Sequence, residues 1–470
     1  MESHSTQQLK FIQLAACLGF VVVLLDVSVV NVALQALSRQ FIARITDLQW
    51  VVNAYSLVFA ALLLTAGALG DRLGAKRVFM LGFAIFTLGS VCCGLSPSLP
   101  ILIVARILQG FGAALLVPAS LSLIRQVFVD AEARSRAVGW WAAGGGIALA
   151  AGPVIGGFLI SAIGWRSIFL VNLPIGLIGL WIAGRFAPTS PVQSGKSLDI
   201  AGQITGAVTL ASLTIALTEA SSFGWDDPII YASSGCFILF GILFVWLEGR
   251  NPKAMLPLSL FSNKTLSSST LIGLLANLTF YGMVFTFSLY FQFIREYPPL
   301  KTGLAFLPMM GIMVFANIAA GRYVTRVGAR NMAATGLALS ALGYLLILPG
   351  LSSGSYELMS IPMLIAGGGI ALTIPTITNA TLAAVAGTQA GIASGLLNAS
   401  RQVGGVIGVA LFGFLVRFRE SGLFLQGMKL ALELSSLLLL LACVLAFRHL
   451  APREISVREK LIPDALSKKR

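Results

Sequence analysis

Two short stretches decide the fold: GALGDRLGAKR at residues 67–77 and its weaker echo GRYVTRVGAR at residues 321–330. Each lies between two long apolar runs, and the second begins about 254 residues after the first. A further pair, GAALLVP at residues 112–118 and GIALTIP at residues 369–375, has an offset of about 257 residues. Two matches at nearly one offset indicate an internal duplication.

The apolar runs around these stretches are long enough to cross a lipid bilayer. Of the 470 residues, 57% are hydrophobic and 11% are charged, whereas about 25% are charged in a typical soluble domain. A spanning helix needs about 20 apolar residues, and such runs recur along nearly the whole chain. The sequence predicts an all-α integral membrane protein with about fourteen transmembrane helices, starting near residues 11, 48, 78, 99, 137, 165, 199, 228, 267, 302, 331, 356, 391 and 428.

The duplication and the helix count together predict the domain organisation. Six helices in each repeat leave two helices between them. We expect an N-terminal six-helix half at residues 1–190, two inserted helices at 191–255, a C-terminal six-helix half at 256–450 and a basic cytoplasmic tail at 451–470. Repeated helical halves are typical of transporters, whose substrate site lies near the bilayer midplane between the halves.

The net charge of +14 is explained by membrane topology. Lys and Arg concentrate in alternate loops, as they do in the cytoplasmic loops of membrane proteins. We therefore expect a multi-pass protein of the bacterial inner membrane with both termini in the cytoplasm and the lipid bilayer as its surroundings. Nucleic-acid binding would need an exposed basic domain with base-stacking aromatic residues, which no segment supplies. We expect a monomer.

The residue clusters of an enzyme or a metal site are missing from the sequence. The two histidines, His4 and His449, have no metal-ligand spacing. The five cysteines fall in apolar stretches and read as small buried hydrophobic residues: Cys17, Cys92, Cys93, Cys236 and Cys443. We expect no enzymatic activity, no metal and no bound cofactor.

Seven motifs together resemble the fourteen-helix drug:proton antiporter branch of the major facilitator superfamily, the multidrug efflux type. They are LLDVSVVNVAL (24–34), GALGDRLGAKR (67–77), ARILQGFGAA (105–114), GPVIGG (152–157), WRSIFLVNLPIG (165–176), PLSLFSNKTL (257–266) and AGIASGLLNASRQVGGVIGVAL (390–411). The resemblance covers nearly the whole chain. It implies export of small amphipathic compounds such as drugs, antiseptics and antibiotics by alternating access, with a proton as the coupling ion.

Asp26 and Arg106 are the candidates for proton coupling. Asp26 lies in the middle of the first span, where an ionised carboxylate needs a partner, water or a proton. For Arg106, the resemblance implies a coupling role, but the sequence does not determine whether it touches Asp26. A fixed structural ion pair is the alternative for Asp26, and Glu433 in the last helix is the alternative proton carrier.

The first glycine-bearing motif predicts a cytoplasmic turn that acts as a conformational latch. Its glycines permit a tight turn, and its charges would bias one state of the transporter over another. The latch candidates are Gly67, Asp71, Arg72, Gly74 and Arg77. Thr325 stands at the position of Asp71 in the second half, so we expect an asymmetric latch.

A glycine-dense segment, GGGIALAAGPVIGG at residues 144–157, predicts close helix packing in lipid. In the antiporter family this motif marks exporters and shapes the interface between the halves. The candidates for interface packing are Gly152, Pro153, Gly156 and Gly157.

Four polar and aromatic residues are candidates for a cavity that binds a small-molecule substrate: Asn53, Tyr55, Asn277 and Tyr281. Packing and interfacial anchoring are the alternative interpretation of each. Few acidic residues lie deep in a span, although a site for dicationic drugs would usually contain more. Two other functions stay open: export of one endogenous metabolite or antibiotic, and a non-transporting membrane sensor.

Overall fold

The chain is all-helical in a computed structural model, which describes residues 6–128, 130–189, 199–251, 254, 256–385 and 389–450. Over these ranges it forms seventeen α-helices and no strand. The fourteen long helices are α1 (Thr6–Val29), α3 (Ile45–Leu73), α4 (Ala75–Leu95), α5 (Leu99–Val127), α6 (Ala131–Ala162), α8 (Asn172–Phe186), α9 (Ile200–Phe223), α10 (Pro228–Arg250), α11 (Lys264–Leu289), α13 (Leu307–Val327), α14 (Ala329–Ser353), α15 (Tyr356–Ala383), α16 (Ala390–Leu415) and α17 (Ser421–His449). Three helices are short: α2 (Leu34–Phe41), α7 (Ser167–Leu170) and α12 (Pro299–Ala305).

The long helices confirm the predicted membrane fold. In the described part of the chain, thirteen candidate spans are long and apolar enough to cross a bilayer. The remaining long helix, α16, carries Asn398, Arg401 and Gln402, which lower its hydropathy, yet it packs inside the bundle against α3 and α11. The chain is therefore a multi-pass membrane protein, and the fourteen predicted helices match the fourteen long helices of the structure.

The internal duplication is visible in the backbone. Gly74 joins α3 to α4 with φ 91°, and Gly328 joins α13 to α14 with φ 85°. Such positive φ values favour glycine. A Cβ atom on Gly112 would lie 2.4 Å from Phe86 N in α4, and one on Gly369 would lie 2.2 Å from Gly336 O in α14. The close crossing of α4 with α5 is thus repeated by α14 and α15.

The helices divide between two halves and an inserted pair. Helices α1, α3, α4, α5, α6 and α8 pack together, as do α11, α13, α14, α15, α16 and α17. The two groups meet where α3 packs on α16 and where α6 packs on α12 and α13. The predicted boundaries at 190/191 and 255/256 and the tail at 451–470 involve residues outside the described ranges.

The inserted helices lie beside the seam between α3 and α16. Helix α9 packs on both of these helices, and α10 packs on α9. Polar side chains join α9 to α3: Trp50 Nε1 donates to Glu219 Oε1 over 2.6 Å, and Gln203 Nε2 donates to the carbonyl oxygen of Ala61 over 2.6 Å. Ser222 also bonds to Thr46, over 2.9 Å. The insert is therefore attached to the N-terminal half by side-chain hydrogen bonds.

Candidate functional site

Asp26 and Arg106 form an ion pair inside the N-terminal half. Arg106 Nη1 donates to Asp26 Oδ2, and the two side chains are 1% and 0% exposed. Arg106 Nε donates to the carbonyl oxygen of Val51 over 3.0 Å. The guanidinium also lies over the ring of Tyr55, 4.3 Å from its centroid. The structure thus brings both predicted coupling residues into one enclosed contact.

Three buried polar residues complete this cluster. Gln109 Nε2 donates to Asp26 Oδ1 over 2.7 Å, and Gln109 Oε1 accepts from Arg106 Nη1 over 2.7 Å. Asn172 Nδ2 donates to the same Asp26 oxygen over 3.2 Å. Ser90 Oγ accepts from both amides, over 2.8 Å from Gln109 and 3.3 Å from Asn172. The carboxylate is therefore held by donors from α5 and α8.

One atom of the cluster has no partner. Asn172 Oδ1 is buried and accepts no hydrogen bond from the described residues. Buried polar atoms are usually satisfied, so an orphan acceptor beside a carboxylate calls for an explanation. It is an available acceptor for a proton on Asp26.

The two halves are hydrogen-bonded to each other near the loops at residues 42–44, 295–298 and 416–420. Gln49 Nε2 of α3 donates to the carbonyl oxygens of Val409 and Ala410 in α16, both over 2.9 Å. The backbone N–H of Gln35 donates to Gln292 Oε1 over 2.8 Å, and Gln35 Nε2 donates to the carbonyl oxygen of Gln292 over 2.6 Å. These bonds close this end of the bundle, and we refer to the set as the outer gate, after the orientation proposed below (residues 31, 35, 38, 43, 49, 288, 292, 409, 410 and 419).

The remaining bonds of the outer gate involve Asn31 and Arg419. The carbonyl oxygen of Asn31 accepts from Ser288 Oγ and, over 2.9 Å, from Gln292 Nε2. Arg419 Nη2 donates to Ser38 Oγ over 2.7 Å and to the carbonyl oxygen of Ala43. Most acceptors of the gate are main-chain oxygens, so the gate depends on backbone positions. The side chain of Asn31 also donates to the carbonyl oxygen of Val27 in α1 over 3.0 Å.

The glycine-dense segment of α6 makes close contacts on two sides. A Cβ atom on Gly152 would lie 1.7 Å from Ser28 Oγ, and one on Gly156 would lie 2.8 Å from Val32 Cγ2, both in the N-terminal half. On Gly157 it would lie 2.5 Å from the carbonyl oxygen of Pro299 in the C-terminal half. Pro153 takes part as well, because a Cβ atom on Gly303 would lie 2.1 Å from the Pro153 carbonyl oxygen. The segment thus packs both within its half and across the interface.

The latch candidates lie at the opposite end of the bundle. Gly74 forms the turn between α3 and α4, and Arg72 and Arg77 are exposed. Asp71 falls in the last turn of α3, but its side chain and that of Thr325 lie outside the described part. Gly67 lies close to Pro118 of α5, where an added Cβ would be 4.0 Å from Pro118 Cβ.

The structure places the four cavity candidates in different surroundings. Tyr55 belongs to the buried cluster, where it covers Arg106 and its hydroxyl donates to the carbonyl oxygen of Val23 over 3.4 Å. Asn277 donates to the carbonyl oxygen of Gly273 in its own helix over 2.9 Å. Tyr281 is half-buried on α11 and lies within electrostatic range of Tyr55 across the interface. Asn53 is fully buried, and neither of its amide atoms has a hydrogen-bond partner among the described residues.

The alternative proton carrier lies apart from the cluster. Glu433 is 43% exposed on α17 and pairs with Lys429 over 3.9 Å, one helical turn away. Sequence reasoning missed Gln109, Ser90 and Asn172 as members of the cluster and Gln49 as part of the outer gate. The signal was present, because Gln109 and Asn172 are polar residues inside two of the quoted motifs.

The comparisons with known proteins agree with this architecture. The model of the Major Facilitator Superfamily matches residues 16–409. The methylenomycin A resistance protein of Bacillus subtilis is 36% identical over 400 residues, covering 85% of this chain and 86% of the relative. The multidrug resistance protein Stp of Mycobacterium tuberculosis is 35% identical over 415 residues, covering 87% and 76%.

Solved transporters have the same fold. The D-xylose-proton symporter superposes with a TM-score of 0.71 at 13% identity, over 95% of this chain and 98% of that one. A bacterial homologue of the human lysosomal transporter Spinster gives a TM-score of 0.67 at 15% identity, over 94% and 97%. The family match, the relatives and the duplicated helical halves confirm the resemblance seen in the motifs: the chain belongs to the major facilitator superfamily and is a membrane transporter rather than an enzyme.

Proposed function

We propose that the chain exports small amphipathic organic compounds across the bacterial inner membrane in exchange for protons. Support comes from relatives whose names describe resistance and export, among them a tetracenomycin C resistance and export protein of Streptomyces glaucescens, 31% identical over 417 residues. The glycine-dense segment of α6 is the motif that marks exporters in the antiporter family that the chain resembles, and it makes close contacts between the halves. The proton is the coupling ion in this proposal, and no other cofactor is needed.

The observation that carries the proposal is the enclosed carboxylate of Asp26. It lies near the middle of the candidate span Gln7–Phe41, where a carboxylate with several donors marks a proton relay more often than a fold element. When ionised, Asp26 accepts from Arg106, Gln109 and Asn172. When protonated, it needs one acceptor, and rotation of the Asn172 amide presents its unpartnered Oδ1. The cluster can therefore satisfy both protonation states.

The outer gate supplies the conformational part of the cycle. With the gate closed, a substrate reaches the interface from the other end of the bundle, which we assign to the cytoplasm with both termini. Protonation of Asp26 removes the charge that pairs with Arg106, and Arg106 also bonds to the carbonyl oxygen of Val51, two residues along α3 from Gln49 of the gate. We propose that this connection transmits the protonation state to the gate, and that one monomer in the bilayer completes the cycle.

The experiment is transport by the purified protein in proteoliposomes with an imposed pH gradient. Across about 100 mV and one pH unit, one proton supplies about 3.7 kcal/mol, enough for a substrate gradient of a few hundredfold. We expect Asp26→Asn to abolish pH-driven accumulation while the protein stays folded and inserted. Glu433→Gln is the matched control and should transport like the wild type. If Asp26→Asn accumulates substrate normally and Glu433→Gln does not, the coupling role moves to Glu433.

The breadth of the substrate range is tested separately. The relatives include proteins named for one antibiotic and a protein named for multidrug resistance. Growth protection against a chemically varied panel would support multidrug export, whereas protection against one compound would support a dedicated exporter. A membrane sensor would move neither substrate nor protons in sealed vesicles.

A further inference from the structure

A second arginine, half-buried, lies on α16, the helix that packs against α3 of the other half, away from the Asp26 cluster. Arg401 stands near the middle of α16, and an added Cβ on Gly273 of α11 would lie 3.2 Å from its Cγ. Its Nη1 donates to Asn398 Oδ1 over 3.2 Å, and it interacts electrostatically with Tyr281. Its Nε is buried without a hydrogen-bond partner. The guanidinium is therefore only partly satisfied by protein groups.

Within the part of the chain that the structure describes, no carboxylate pairs with this charge. The ion pairs described in the structure do not include Arg401. Acidic residues of the spans have other partners: Asp26 pairs with Arg106, Glu219 accepts from Trp50, and Glu248 accepts from the backbone N–H of Leu256. A cation within a membrane span that lacks a counter-charge is costly and marks a substrate or ion pathway.

Asn53 supplies an independent observation on the facing helix. It lies one turn along α3 from Gln49, which bonds to Val409 and Ala410 of α16, so its side chain is on the face turned toward α16. Both of its amide atoms are buried and without a partner. The register of the two helices places Asn53 about one turn closer to the outer gate than Arg401. Tyr281 lies between them, because it packs on Gly405 and interacts with Arg401.

The unused hydrogen-bonding groups define the ligand. Arg401 Nε–H and the Asn53 amide N–H groups are donors without acceptors, and the charge of Arg401 is positive. Guanidinium groups match the planar geometry of carboxylates, and charge-assisted hydrogen bonds to such groups are the strong ones. We propose that Arg401 binds the anionic group of the transported substrate, so that the preferred substrates are small amphipathic monoanions, in particular carboxylates. This inference rests on the proposed export function and names its substrate class.

The outer end of the pathway agrees with an anionic substrate. A cavity of about 600 Å³ beside the outer gate is lined by Arg39, Arg44 and Arg419 together with Glu296. Arg44 pairs with Asp47, but the other two arginines keep the cavity positive. An anion that leaves Arg401 toward this side moves into a region of favourable potential.

The test compares three probes that share one aromatic body: 1-naphthoate, neutral 1-naphthamide and cationic 1-naphthylmethylammonium. Binding is measured by titration calorimetry on purified protein in a neutral detergent. We expect the wild type to bind naphthoate about tenfold more tightly than naphthamide. Arg401→Gln should remove this difference without weakening naphthamide, and Arg401→Lys should restore part of it. Equal affinity of the wild type for naphthoate and naphthamide would overturn the proposal.

Arg417→Gln is the matched control for the loss of one positive charge, at a position two residues beyond the end of the same helix. Arg417 lies over Phe414 and Phe418 at the outer end of α16, and its variant should keep the preference for naphthoate. If Arg401→Gln and Arg417→Gln lose the preference for naphthoate equally, the cause is a long-range effect of positive charge, which contradicts a site at Arg401. If Arg401→Gln leaves naphthoate binding unchanged but removes stimulation of transport by phosphatidylglycerol vesicles, Arg401 serves a lipid headgroup and the proposal fails.

Transport measurements distinguish a failure of the anionic site from a failure of the proposed export function. Export of an anion in exchange for a proton moves two positive charges inward per cycle, whereas export of a neutral compound moves one. Naphthoate export should therefore respond more steeply to a valinomycin-imposed potassium potential than naphthamide export. Proton-driven export of naphthamide without any Arg401-dependent preference would keep the proposed function and refute the anionic site. If naphthoate binding depends on Arg401 but no probe is transported in response to a proton gradient, the anionic site is supported and the proposed export function is refuted.

Discussion

Asn172 donates a hydrogen bond from Nδ2 to Asp26 Oδ1 over 3.2 Å, while its own Oδ1 is buried without a donor. Arg106 and Gln109 also hold the ionised carboxylate, so Asn172 is dispensable for that state. It offers the acceptor that a protonated Asp26 would need. Its amide can therefore donate to the ionised carboxylate and, after rotation, accept from the protonated one.

From this arrangement we expect Asn172→Leu to fold and insert but to transport slowly. Loss of one hydrogen bond costs about 1 kcal/mol of stability, and an unsatisfied buried hydroxyl on protonated Asp26 costs about 1–3 kcal/mol. The initial rate of transport driven by a pH gradient should fall about tenfold. Asn331→Leu, which removes an exposed amide at the start of α14, should keep the wild-type rate. A wild-type rate in Asn172→Leu would exclude this role.

Gln49→Leu should favour the state in which the outer gate is open. The substitution preserves bulk but removes two hydrogen bonds to α16, each worth about 1 kcal/mol, which corresponds to a shift of about tenfold or more in the equilibrium. Spin labels at Ala162→Cys and Ser352→Cys, in a background with the exposed Cys236 changed to Ser, would report a longer distance between the halves. Gln389→Leu, at an exposed position on the opposite side, should leave that distance unchanged.

Gly157→Ala should also separate the halves at the gate. The added methyl group would lie 2.5 Å from the carbonyl oxygen of Pro299 and 2.9 Å from Leu300 Cα, which backbone atoms cannot accommodate without a shift. The same pair of spin labels measures the effect. Gly139→Ala in the same helix meets no atom within 4 Å and should behave like the wild type. Identical distance distributions in the two alanine variants would contradict a packing role for Gly157.

The assigned orientation predicts which surface cysteines are reached from outside the cell. Arg77 is exposed at the start of α4 and Ser352 near the end of α14. In the Cys236→Ser background, a membrane-impermeant thiol reagent should label Ser352→Cys in intact cells and Arg77→Cys only after permeabilisation. The reverse pattern would invert the topology and place the outer gate in the cytoplasm.

Apolar run length and the repeated glycine motif were sufficient to predict the fold. Gly74 and Gly328 occupy equivalent turns because each is the single residue between two helices and has a positive φ, a local constraint that leaves a local signal. The pairing of Asp26 with Arg106 could not be derived in the same way, because it depends on how α1 crosses α5. Tyr55 illustrates the same limit: its polarity suggested a cavity, but helix rotation turns it onto Arg106. The carbonyl oxygen of Val409, which accepts from Gln49, lies 360 residues further along the chain. A local sequence pattern does not predict a contact at that separation.

The attachment of α9 to α3 makes the two moving parts unequal in size. If Glu219, Gln203 and Ser222 keep their bonds to α3, then α9 and α10 travel with the N-terminal half, and eight long helices move against six. Viscous drag in the bilayer resists the larger part more strongly. We therefore expect the C-terminal half, with Arg401 on its inner surface, to make the wider excursion while the half that contains Asp26 stays nearly still in the lipid.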